Sequence, residues 1–488
     1  MAESSTNDLA EEYIDAPAGQ SGAPAEAWSG LRKLMQYKTY RMRWYLLGVI
    51  CLLNCSNSML WLSFAPVADK TAKFYGCSLD QVNWLSQVYL IIAIPFGILT
   101  MWVLDILGLK TAVILSAWLN MLGSVVRYFG VLLFISKEIG YPLLLLGQCI
   151  CAVAQPLVLF SPTKLAAVWF PEHQQATANM MSSMSNPLGI LLANLLSPAL
   201  VHKKEDIPFM VGMYAVPAVL ACILATVGVC HSEPPTPPSA SAVNSTSEPF
   251  WPGLKKLLKN KAYVILMICF GAGIGIFTAF SALLEQILCV VGYSNLFAGL
   301  CGALFIGVGI LGAFLLGLYI DRTKNFTEAI KICFAMAALA SIAFALVSRL
   351  PNQPALVAAV CSLFGFFGFS IYPISMELAV ECSYPVGEGT STGLVFIAGQ
   401  IQGIIFMLLL QAVTKQLADA PLSACNAELD TPLDWKAPTL LLAGICSVGA
   451  CIFILFFRTD YKRLHAEAEN AAITGGESDT LQAPEHNG

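Results

Sequence analysis

Trp61 stands inside a stretch without charged residues, 44–68, and is the first side chain here that could do chemistry. A quaternary ammonium held against a dry indole face gains roughly 2 kcal/mol. Asn57 precedes it by one helical turn. Gln400 and Gln402 sit near the middle of another such stretch, 389–414. Two positions apart on a helix they diverge by about 200°, so at most one faces an interior space. A buried amide must find hydrogen-bond partners, in the protein or in a ligand. Phe277, Thr278 and Phe280 lie together in 262–284, and Glu285 closes that run. An intramembrane carboxylate can attract a cation or carry a proton. The plainer alternative for each is packing: an indole between helices, an amide joining two helices, a carboxylate at the interface.

A second set of residues has the spacing of a gate. Asp105, Gly108 and Lys110 end one apolar run, and Asp321, Arg322 and Lys324 end another. Each aspartate can place negative charge at the N-terminus of a helix, worth about 0.3–1 kcal/mol per contact. Glu377 and Glu381 lie one turn apart, with Glu388 close behind, and read as gate partners of Arg322 or Lys324.

Other chemistries lack their residues. Most of the 16 cysteines lie inside apolar runs, where Cys acts as a small hydrophobe. No CxxC occurs, and the histidines, His173, His202, His231, His465 and His486, fall in expected loops or tails. No metal site, no cofactor and no enzymatic nucleophile–base–acid set is expected. Cys77 and Cys425 fall in the two largest external loops, and a disulfide between them is left open.

The elements that position these residues follow from composition. Of 488 residues, 57% are hydrophobic and 12% charged, about half the usual charged share. The net charge of −5 offers no basic field for nucleic acid. A spanning helix needs about 20 apolar residues. Twelve such stretches are predicted, from 44–68 to 437–457, making an all-α membrane protein of twelve transmembrane helices. Residues 1–43 form a polar tail, 44–230 a first group of six helices and 231–261 a linker. Residues 262–457 form a second group of six, and 458–488 a second tail. The linker is rich in Pro and Ser, then reads as a short basic amphipathic helix over 253–261. Lys and Arg gather on the side of the tails and linker, which predicts both termini in the cytosol. The sequons at Asn244 and Asn325 then face the cytosol, and Asn54 lies within a helix. The two Asp/basic turns recur at matched positions, which indicates duplicated halves. The lipid bilayer and a small-molecule substrate are the expected partners of a chain expected to be a monomer.

Longer motifs narrow the reading. NCSNSMLWLSFAPVAD (54–69), QVNWLSQVYLI (81–91), GQCICAVAQ (147–155), SPTKLAAVWFPEHQQATANM (161–180), SALLEQIL (281–288) and MELAVECSYPVGEGTSTG (376–393) resemble solute carrier family 49 of the major facilitator superfamily. That family is the feline leukaemia virus subgroup C receptor-related group of heme and choline carriers; within it the A3 branch is the most similar. The resemblance covers roughly residues 40–458. It implies two six-helix halves, a cavity between them and alternating access. It also implies choline or ethanolamine held against aromatic faces beside glutamines. Carried over residue by residue, Trp61 and Gln400 match. On this reading a helix 5 glutamine is missing, with Pro187 after Asn186, and Thr278 replaces a helix 7 aromatic. The expected function is facilitated transport of a small organic cation or amphipathic metabolite, in a plasma or endolysosomal membrane. The alternatives are a heme or porphyrin carrier, and a non-transporting receptor or scaffold.

Overall fold

The computed structural model describes residues 38–132, 137–236, 238, 250–323, 325–383, 386, 388–416 and 433–459. Twelve long helices account for most of them. In chain order they are α1 (Met42–Leu62), α2 (Leu79–Ile106), α3 (Gly108–Val131), α4 (Lys137–Trp169), α5 (Glu172–Leu200) and α6 (Ile207–Gly228). Then come α7 (Lys261–Cys289), α8 (Asn295–Thr323), α9 (Phe326–Val347), α10 (Pro354–Ser383), α11 (Glu388–Val413) and α12 (Lys436–Phe456).

Local chemistry sets several of the boundaries. Pro66 lies in a one-turn 3-10 segment, Ala65–Val67, after which the chain continues as a short helix, Ala68–Tyr75. That helix ends at Gly76, whose φ of 67° is left-handed and costs glycine little. Ser78 and Gln81 then form a capping box that starts α2. The predicted basic amphipathic helix forms over Phe250–Lys259, burying Leu257 and exposing Lys255 and Lys259. Asn260 caps α7 and donates to the Cys382 carbonyl at 2.7 Å. Beyond α11, β1 (Lys415–Gln416) pairs antiparallel with β2 (Leu433–Asp434).

Eleven of the long helices, or the spans containing them, are apolar enough to cross a membrane. The chain is a multi-pass membrane protein. The exception is α5, predicted as a span like the others, which carries many Ser, Asn and Gln residues. Several of its polar groups are satisfied within the protein. Ser182 donates to the Ala178 carbonyl, Asn194 to the Ile190 carbonyl, and Ser197 to Ser63 of α1's C-terminal turn. Packed between α1 and α8, it needs fewer lipid-facing apolar residues. His173, expected in a loop, falls in the first turn of α5.

Helix packing repeats with a shift of six. α1 packs on α4, α5 and α6; α7 packs on α10, α11 and α12. α3 packs on α4 and α6; α9 packs on α10 and α12. The contacts between the two groups exchange in the same way, since α2 packs on α11 while α8 packs on α5. Close approach is made by small residues: a side chain on Gly365 of α10 would collide with the Phe305 carbonyl of α8.

Candidate substrate cavity

A cavity lies between the two groups of helices, near the middle of their lengths. It offers about 160 Å³, roughly ten times what one water needs. Asn54, Ser58 and Trp61 line it from α1, Gln155 from α4 and Asn186 from α5. Phe277 and Thr278 face them from α7, Phe369 and Tyr372 from α10, and Phe396 and Gln400 from α11. Among the described residues, no charged side chain lines the wall.

The helices fix each group in a definable way. The Trp61 indole N–H donates to the Ser86 carbonyl of α2 at 3.3 Å, which anchors its ring edge. The end of α1 is held by Arg127 of α3, which is fully buried. Its guanidinium donates to the Leu60 carbonyl at 3.1 Å and to Ser63 Oγ, and lies over the Phe64 ring at 5.0 Å. Phe277 stacks on Phe305 at 5.8 Å and meets Phe369 edge-on at 5.0 Å.

Four polar atoms of the wall are left open. Gln155 Oε1, Gln400 Oε1, Asn54 Oδ1 and Asn186 Nδ2 are buried without a hydrogen-bond partner. An unsatisfied buried amide costs about 1–3 kcal/mol. Three of the four are acceptors, Gln155 Oε1, Gln400 Oε1 and Asn54 Oδ1, and one is a donor, Asn186 Nδ2.

Trp61, Gln400, Phe277 and Thr278 thus come together around one cavity. Asn57, Phe280 and Glu285 lie elsewhere. Asn57 points away, donating to Asn120 Oδ1 at 3.0 Å and to the Cys151 carbonyl at 3.1 Å. Residues 54, 58 and 61 line the cavity, while position 57, at the edge of the same face, bonds to α3 and α4 instead. Phe280 is buried in an aromatic cluster with Phe305, Phe344 and Phe364. Gln402 lies against Gly271 of α7, at a helix-packing surface. Thr278 uses its hydroxyl on the Ile274 carbonyl at 2.9 Å. Glu285 is 3% exposed, and neither carboxylate oxygen has a hydrogen-bond partner. The charged groups acting on it are Asp69 and Lys70.

Of the gating set, Lys110 Nζ donates to the Cys230 carbonyl at 2.8 Å, tying α3 to the chain after α6 rather than to the other group. Lys324 and the side chains of Asp105, Asp321, Arg322, Glu377, Glu381 and Glu388 lie outside what the structure describes. So does Cys425; Cys289, at the end of α7, is disulfide-bonded.

Gln155, Asn54 and Ser58 were missed from sequence. Their signal was polarity inside apolar helices: Gln155 ends the motif GQCICAVAQ, and Asn54 and Ser58 stand seven and three residues before Trp61. Besides Thr278, the wall carries the rings of Tyr372 and Phe396, supplied by other helices.

Two repeated groups of six helices around a central cavity are the architecture of a secondary transporter. The model of the Major Facilitator Superfamily matches residues 46–407. Solute carrier family 49 member A3 of Xenopus tropicalis is 60% identical over 459 residues, covering 93% of this chain and 95% of that one. The Danio rerio protein of the same name is 53% identical, covering 89% and 91%. The Homo sapiens choline/ethanolamine transporter FLVCR2 is 30% identical over 78% of this chain and 73% of its own. The crystal structure of a D-xylose-proton symporter superposes with a TM-score of 0.65 at 15% identity, covering 87% and 99%. The chain belongs to the Major Facilitator Superfamily and, within it, to solute carrier family 49.

Proposed function

We propose that this transporter carries a small organic cation of the choline or ethanolamine kind by alternating access between its two six-helix halves. The observation that carries this reading is the wall itself: unpartnered amide oxygens on α1, α4 and α11 beside aromatic rings, with no charged residue among them. Carbonyl dipoles and ring faces both attract a cation. Among the described residues no cationic side chain lines the wall to repel one. The relationship to FLVCR2, named a choline/ethanolamine transporter, points the same way. A permanent cation needs no coupled ion to accumulate inward, since the membrane potential contributes about 2.3 kcal/mol per 100 mV. In this orientation both termini are cytosolic, and Asp105 and Asp321 close the cytosolic side through helix N-termini of the opposite half.

Uptake of labelled choline into proteoliposomes tests the reading. Trp61→Ala abolishes saturable uptake and Trp61→Phe keeps part of it, the order of quadrupole strength. Saturable uptake that ignores Trp61→Ala overturns the proposal.

A further inference from the structure

The cavity does not stop between the two halves. An arm of it reaches the outer helices α9 and α12, where Phe334, Ala337, Ile445, Cys446 and Gly449 line it. By the repeat, α9 and α12 correspond to α3 and α6, yet among the described residues no side chain of α3 or α6 touches the cavity. The difference has a local cause. On the first half, Asn57 of α1 is hydrogen-bonded to Asn120 of α3, which ties the two helices together. On the second half, α7 presents Ala272 and Gly273 to the cavity, and a side chain placed on Gly273 would meet nothing within 4 Å. Gly449 of α12 is equally open.

The two ends of the cavity differ in chemistry. The open amide groups of Gln155, Gln400, Asn54 and Asn186 sit at the end formed by α1, α4, α5 and α11. The arm offers rings, methyl groups and a thiol. A small cation would meet the three open oxygens of the first end, on Gln155, Gln400 and Asn54, and leave the second end empty.

We propose that the arm holds a hydrocarbon segment of the transported molecule, so that the substrate is an amphiphilic ammonium: a cationic head at the amides and Trp61, and an alkyl chain running between α7, α9 and α12. The proposal rests on the cation reading above and extends it. The phosphate of a zwitterionic lipid headgroup would find no cationic partner on the wall, which favours a head bearing positive charge alone.

The test uses the full chain in lipid nanodiscs and a series of alkyltrimethylammonium ions from ethyl to octyl, with binding measured by calorimetry. Affinity rises about fourfold per methylene until the arm is filled. The ratio of octyl to ethyl affinity collapses toward one in Gly449→Leu, and in Gly273→Leu as a second variant. A flat series in the wild type overturns the proposal. So does an unchanged ratio in both variants, which would place the chain in the bilayer. The neutral isosteres, with carbon in place of the ammonium nitrogen, separate the two readings. If they show the same chain-length ratio, again lost in Gly449→Leu, while Trp61→Ala changes neither series, the arm stands and the cation reading falls.

Discussion

Gln286 of α7 donates through Nε2 to Asn83 Oδ1 of α2 at 2.7 Å, and Asn83 Nδ2 returns toward Gln286 Oε1 at 3.5 Å. Both side chains are buried. Two further bonds join the halves at the same end: Gln87 to Gln411 at 3.0 Å, and Asn295 to Asp69 at 2.7 Å. All are amide or amide–carboxylate contacts, worth about 1 kcal/mol each. Several such bonds can close this end of the cavity yet still separate during a transport cycle.

Gln286→Leu removes the reciprocal pair and leaves Asn83 buried without its partner. The closed end is then weakened by about 1–3 kcal/mol. Hydrogen exchange mass spectrometry reads this directly: amides at the start of α2 and the end of α7 exchange faster, and those of α9 do not. Unchanged protection at both places would show that this pair does not hold the end shut.

Gln400→Leu separates stability from function. The substitution removes an unpartnered buried oxygen, so the substrate-free protein gains about 1 kcal/mol. Substrate binding loses one hydrogen bond, which lowers affinity roughly two- to tenfold. The same pattern holds for Gln155→Leu. Thermal unfolding with and without choline measures both parts: the apo midpoint rises and the choline-induced shift shrinks. A fall in the apo midpoint would mean that the amide is needed for packing.

Arg127→Ala removes both guanidinium bonds at the end of α1 and leaves only the bond that Ser63 Oγ donates to the Leu60 carbonyl at 3.0 Å, at a cost of about 1–3 kcal/mol. Arg127→Lys keeps the charge and loses the planar fork, so it rescues only part of the stability. Thermal unfolding in detergent ranks the three proteins as wild type, Lys, Ala.

Glu285→Gln should stabilise the closed form. A dry carboxylate with neither oxygen bonded is costly when ionised, by several kcal/mol, and an amide avoids that cost. The unfolding midpoint at neutral pH therefore rises in the variant. A drop would show that Glu285 is ionised and held by Lys70.

Thr278→Tyr tests how complete the aromatic wall is. With Phe277, Tyr372 and Phe396 already present, a further ring adds cation–π attraction of about 0.5–2 kcal/mol. Choline affinity should strengthen about two- to thirtyfold, read by competition with labelled choline.

The sequence alone determined the number of long helices, their approximate limits and the residue types able to meet a cation. Apolar length and the scarcity of charge are properties of each segment, and Trp61 and Gln400 stand out as polar or aromatic groups in apolar runs. Helix orientation about its own axis is different. These helices are apolar on nearly every side, so no hydrophobic stripe marks the inward face. Asn57 and Asn54, like Phe280 and Phe277, are three positions apart and differ in direction by only about 60°, so the sequence does not tell which of each pair meets the cavity. The closing contacts join Asn83 to Gln286 and Gln87 to Gln411, pairs far apart along the chain. Nothing local to either partner specifies the other. The arm toward α9 and α12 has the same origin, since a cavity is the space left when several helices pack. Whether Gly273 and Gly449 border open space depends on where their neighbours lie, and only the tertiary structure decides that.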